Sequence, residues 1–169
     1  MGVTIHFEGE LHSEAAYEDL IAVVTSIAKI QSWPTEAIES SGTTLLRVRD
    51  EQDWDYTGPV KGIEVHLHND CDPVRLEFDH ELYLQKFTKT QFAGVECHLK
   101  VVDLLKTIRP FFRELKVEDE GEFWETGNRA ILAEHMDRTR KVIEDEVRKN
   151  PSAQVKVKTP SGKIIDLMT

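Results

Sequence analysis

The chain has 169 residues, 40% of them hydrophobic, and a formal net charge of −10, enough apolar residues for a core but with no run approaching 18 in a row, so no membrane-spanning helix is expected. That length predicts one domain, residues 1–169, burying roughly 68–70% of its unfolded surface without covalent staples. Cys71 and Cys97 are its two cysteines, and they form neither a disulfide framework nor a zinc spacing, so two reduced, partly buried thiols are expected.

Residues 3–8 alternate, with Val3, Ile5 and Phe7 opposite Thr4, His6 and Glu8, the period of a half-buried strand. Ser13 is placed to cap a helix over 13–31, whose apolar stripe is Leu20, Val23, Val24, Ile27 and Ala28. Trp33-Pro34 ends it. A strand is predicted over 43–49, an acidic loop from Asp50 to Gly58, and strands through Ile63–Leu67, Val74–Phe78 and 81–88, with a turn at 69–73. The spacing of Val95, His98, Val101, Val102, Leu105 and Ile108 predicts a helix over 94–112 that Pro110 kinks or ends. A short strand at Leu115–Val117, an acidic turn over 118–122 and a helix over 127–149 follow, the last stopped by Asn150-Pro151. Val155, Val157, the turn 159–162 and Ile164–Leu167 predict a C-terminal hairpin. The expected architecture is α+β: a single, mainly antiparallel sheet with about three helices packed on it.

The charge is uneven. Residues 1–85 hold 17 acids and 5 bases, while Arg148 to Lys163 holds five bases and no acid. An acidic body repels nucleic-acid phosphate and favours a basic protein partner. The basic stretch reads as a lysine-decorated edge strand. The first residues carry no basic or apolar leader pattern, so a cytoplasmic location is expected, with no membrane span.

Nucleotide-loop, hydrolase-elbow and zincin motifs are absent from the sequence. Asp53 to Glu64 has the outline of a calcium loop, with Gly58 at its turn, but Lys61 stands among the ligand positions. Strand-like flanks make it an acidic loop with, at most, weak affinity for calcium. His66 and His68 share a strand face at metal-ligand spacing, with Asp70, Asp72 or His98 as further ligands; exposed histidines are the plainer reading. Lys89, Thr90 and Gln91 precede a helix whose free N–H groups either hold an anion or take a side-chain cap. Glu96 is spaced to pair with Lys100, and His98 sits at the stripe's edge. Asp119, Glu120 and Glu125 flank Trp124, either as acid–base or partner-binding carboxylates or as a turn with Thr126 capping the next helix.

The stretches Lys89-Thr90-Gln91-Phe92-Ala93 and Asp119-Glu120-Gly121, followed by Trp124-Glu125-Thr126-Gly127, resemble a group of small bacterial proteins with K-T-Q-x-A and D-E-G…W-E-T-G segments. Glu122 departs from the second glycine of that pattern. The resemblance implies a bacterial origin and no particular activity. The residues themselves point first to a non-enzymatic binding protein, immunity- or antitoxin-like, with Trp54, Tyr56 and Trp124 in the contact surface. The alternative is a small enzyme with a carboxylate base and an anion-binding helix N-terminus. No cofactor is expected. The candidate site is Lys89, Thr90, Gln91, Glu96, His98, Asp119, Glu120, Trp124 and Glu125, with an ion pair from Lys89 to one of the three carboxylates.

Overall fold

A computed structural model describes residues 2–150 in full and residues 154–158 and 164–168 by their backbone. β1 (Thr4–Leu11) turns Ile5, Phe7 and Leu11 inward and leaves His6, Glu8 and Glu10 on its outer side, as the alternation predicts. α1 (Glu14–Gln31) starts at Ser13, whose hydroxyl accepts from Ala16 N at 3.1 Å, and stops at Ser32 in the left-handed conformation.

β2 (Thr35–Leu45) begins directly after Pro34 rather than at residue 43. Its early residues pair with 60–65 while most of their side chains stay exposed, and a solvated edge strand carries no apolar alternation to read. The expected acidic loop is instead a tight ribbon of β3 (Val48–Arg49) and β4 (Gln52–Asp53). Asp50 and Glu51 at its tip have φ of 52° and 63°, which matches the twist of a hairpin turn. β5 (Tyr56–Val65) then runs straight through the would-be calcium loop. At about 3.3 Å per residue, Tyr56 and Glu64 stand roughly 26 Å apart, so Asp53 and Glu64 cannot wrap one ion.

β6 (Val74–Phe78), β7 (Tyr83–Lys89) and α2 (Val95–Ile108) follow as predicted, except that α2 ends earlier and passes into a 3-10 turn, Arg109–Phe111, carrying Pro110. β8 (Phe112–Asp119) is longer than the expected Leu115–Val117. After the short α3 (Phe123–Thr126) comes α4 (Arg129–Lys149). Asn128, not Thr126, caps α4, accepting from Ala130 N at 2.9 Å and Ile131 N at 3.3 Å. β9 (Gln154–Lys158) and β10 (Ile164–Met168) pair antiparallel as the predicted hairpin; its turn at 159–162 lies outside the described residues.

The expected single sheet is not formed. The described strands make two three-stranded antiparallel sheets, β7-β1-β8 and β2-β5-β6, and two ribbons, β3-β4 and β9-β10. The chain leaves one sheet and enters the other at the 79–82 turn, closed by Asp79 N to Tyr83 O at 2.9 Å. β1 takes both its partners from distant sequence, residues 83–89 and 112–119. Period-2 alternation shows which residues face inward but not which strands are neighbours. One core joins both sheets to α1 and α2 and includes Phe7, Leu20, Val65, Phe78, Val101 and Leu105. Each such side chain contributes about 1.5–3 kcal/mol by burial. Among the described residues no helix is long and apolar enough to cross a membrane.

Candidate functional site

Lys89-Thr90-Gln91 leaves β7 and Asp119-Glu120-Gly121 leaves β8 at the same end of β1, where Thr4 is in register with Lys89 and Ile5 with Asp119. His98, in the first turn of α2, lies between them. The Thr90 hydroxyl is 2.7 Å from His98 Nδ1, and His98 Nε2 is 3.0 Å from Asp119 Oδ2. All three residues are buried. The ring's Nε2–H donates to the carboxylate, and Nδ1 meets the hydroxyl on the other side of the ring. Asp119 also accepts from the N–H groups of Gly121 (2.7 Å), Phe123 (3.0 Å) and Trp124 (2.9 Å). Burial pushes this carboxyl up, but the hydrogen bond and charge of His98, with the Trp124 and Gly121 amides, outweigh it and hold it below its ordinary range.

A hydroxyl–imidazole–carboxylate chain is the arrangement of nucleophilic hydrolases. Here Thr90 and His98 have 0% exposure, so no substrate reaches the hydroxyl. The chain acts as a buried polar clamp on β7, α2, β8 and α3. Gly121 belongs to it by close approach: a Cβ there would lie 2.5 Å from Leu132 Cδ1 and 3.2 Å from His98 Cε1. Gly121→Ala is therefore expected to cost about 1–3 kcal/mol through overpacking, read as a lower urea midpoint. An unchanged midpoint would mean that Leu132 moves aside freely.

The other expected site residues have plainer duties. Gln91 Oε1 accepts from Val3 N at 2.8 Å, and Glu120 Oε2 accepts from Thr4 N at 2.8 Å, so both fasten the start of β1. Glu120 Oε1 also lies 3.5 Å from His6 Nε2. Trp124 is half-buried against the main core, with Lys106 Nζ 5.7 Å from its ring centroid. Glu125 is exposed. Among the described residues the lysine ion pairs are Lys61 with Glu14 and Lys86 with Glu77. The expected pair from Lys89 is not formed, because His98 and backbone amides already satisfy Asp119. Glu96 pairs with Arg129 rather than Lys100; α4 brings a tertiary partner that helical spacing alone does not foresee. Nor do Gln91, His98 and Trp124 share a cleft. Gln91 lines a groove of about 420 Å³ with Phe92, Val95, Met136 and Ile143 instead.

Sequence reasoning missed the arrangement on the other side of the β7-β1-β8 sheet. Arg47 is buried and donates from Nη1 to Asp79 Oδ2 at 2.8 Å, both side chains being 4% exposed or less. Its guanidinium lies 4.0 Å from the Trp54 ring centroid and 5.3 Å from that of Tyr56. Trp54 and Tyr56, expected to be contact aromatics, thus build the cage around this cation. Gln85 holds the β3-β4 arm over the sheet with two bonds to Val48, N to Oε1 at 2.9 Å and Nε2 to O at 2.8 Å. The Tyr83 hydroxyl donates to Glu8. Burial first and Glu8 second push it up to about 12, against Arg49, so it stays a donor at neutral pH. The sequence signal was an arginine inside an apolar run, Leu45-Leu46-Arg47-Val48.

Beneath this arm run two neighbouring grooves, of about 540 Å³ and 670 Å³, that share Glu8 and Val48. The larger is lined by His6, Lys86, Phe87, Lys116, Leu46 and Glu118 among others. Leu46, Val48 and Phe87 are 81%, 53% and 57% exposed.

Glu36, Glu64 and His66 place ligand atoms within 4.8 Å of one another. Arg75 already pairs with Glu64 and His66 Nε2 lies 3.2 Å from Glu64 Oε1, so the group reads as a cross-strand ion-pair network. His68 instead accepts from Asp70 N through Nδ1 at 3.0 Å, and His98 is buried elsewhere. No family model, curated protein or solved structure matches this chain. The resemblance of its two segments therefore rests on those residues alone.

Proposed function

We propose that this chain is a non-enzymatic binding protein whose contact surface is the open face of β7, β1 and β8 beneath the β3-β4 arm. The observation that supports it is the cluster of Leu46, Val48 and Phe87, three large apolar side chains left in solvent around a groove of about 670 Å³. Apolar side chains on a rigid frame, rimmed by charge, are the makings of an interface. The frame is rigid because Arg47–Asp79 and Gln85 pin the arm. The grooves carry both signs, with Glu8, Glu10, Asp50, Glu114 and Glu118 beside Arg49, Lys86, Arg113 and Lys116. The occupant is a basic protein segment presenting an apolar side chain because the body as a whole has a net charge of −10. Such a field speeds association with a cation-rich partner and is screened by salt. An immunity- or antitoxin-like role, an acidic protein covering a basic one, is one form of this reading.

Selection of displayed peptides on the immobilised protein tests it. Peptides with Lys or Arg around an apolar residue should be enriched, and Leu46→Glu with Phe87→Glu should abolish their binding. Val142→Glu, on α4, should leave it intact. Enrichment of acidic peptides, enrichment indifferent to Leu46 and Phe87, or no enrichment would each overturn the proposal.

A further inference from the structure

α4 runs for 21 residues, yet its buried side chains, Leu132 and Met136, both belong to its first half. That half packs on Val3, Val95, Leu99 and Phe123. The apolar spacing does not stop there. Leu132, Met136, Ile143 and Val147 follow at steps of four, seven and four, which keeps one helix face along the whole length. Ile143 and Val147 are only half-buried and belong to no apolar cluster among the described residues. Between this face and the segment entering α2 lies the groove of about 420 Å³. Phe92 and Val95 form one wall, and Met136, Arg140, Ile143 and Glu144 the other.

The charges on the same face select its occupant. Asp137, Arg140 and Glu144 line the groove, and Arg148 lies one turn beyond Glu144, so the signs alternate along the helix. Arg140 and Glu144 stand two positions either side of residue 142. In an antiparallel pair of α4 helices related by a two-fold axis beside residue 142, Arg140 of one copy is level with Glu144 of the other. Asp137 then comes within about 1.5 Å of the level of Arg148, one residue's rise. Symmetry forms each opposite-charge pair twice. A parallel pair would set every charge against its own copy, which repels. The present partners of these groups are exposed neighbours on α4 itself: Asp137 with Arg140 at 3.0 Å and Asp145 with Arg148 at 3.6 Å. Such pairs contribute little, so exchanging them for interchain pairs meets small resistance. A charge order that becomes its own complement on reversal fits a second copy of the chain better than a partner of one sign.

We infer that the distal half of α4 is a homodimer interface, in which two copies lay their α4 helices antiparallel about residue 142. Each copy sets Ile143 and Val147 against the groove beside Phe92 of the other, removing from water the apolar face that a single chain leaves half-exposed. This surface is separate from the face of β7, β1 and β8 and stands on its own observations.

Sedimentation equilibrium of the full chain over a range of concentrations tests it. The mass should rise from 19.4 kDa towards twice that value as concentration increases. Ile143→Glu should hold the protein at 19.4 kDa, with an unchanged urea midpoint at dilutions where the native chain is monomeric, because Ile143 lies outside the core. Arg140→Glu sets acid against acid across the pair and Glu144→Arg sets base against base, so each alone should abolish the dimer. Arg140→Glu combined with Glu144→Arg should restore it, since position 140 again meets its opposite at position 144. A chain that stays monomeric at every concentration would overturn the inference, which is the result if a foreign protein or this chain's own C-terminal segment fills the groove. So would a dimer that survives Ile143→Glu, one lost to Phe87→Glu instead, or single charge reversals that the double variant fails to rescue.

Discussion

Asp79→Ala is expected to lower the unfolding free energy by about 3–5 kcal/mol, because it leaves a buried guanidinium without its counter-charge. Asp79 does more than neutralise Arg47. Its Oδ1 accepts from Glu81 N at 2.8 Å and Tyr83 N at 3.0 Å, shaping the turn where the chain passes between the two sheets. Arg47→Met should cost less, since the methionine still fills the space beside Trp54, but it strands the Asp79 carboxylate. The double variant Arg47→Met with Asp79→Leu removes both charges and should fall well short of the sum of its parts, a coupling that a double-mutant cycle in urea measures. Additive losses would mean that the pair is solvated and the arm not anchored by it.

Asp119→Ala should cost a similar amount, about 3–5 kcal/mol, by stripping His98 and three backbone amides of one shared acceptor. The same carboxylate makes a pH prediction. Its folded-state value is depressed below the ordinary 3.8, so its contribution is fully present above that value and is lost as pH falls through the depressed one. The native protein should lose stability on acidification below 3.8, and Asp119→Asn should lose less over that range, because amide 119 has no proton to gain. Urea midpoints at a series of acidic pH values distinguish the two. Parallel pH dependences would remove Asp119 as the source.

Much of this was open to a reader of the residues. Alternation over 3–8 and 74–78 and helical spacing over 13–31, 94–112 and 127–149 are local patterns set by burial on one side, and the elements appear there, except that the second helix stops at Ile108. The two segments thought to carry a site do meet. Pairing depends on distance in space: the buried side-chain bonds run from Thr90 and His98, whereas the Lys89 side chain, the conspicuous charge, makes no ion pair among the described residues.

The sequence by itself determined the α+β class, the apolar faces, the helix limits near Ser13 and Pro34, and the acidity of the first half. Each follows from short-range periodicity, caps or composition. Only the tertiary structure decided that the strands divide into two sheets, that His98 is a clamp with no solvent access, and that Arg47 finds Asp79 across 32 positions. Those outcomes depend on which strands become neighbours. The energy that selects neighbours is spread over a shared core rather than carried by any one segment.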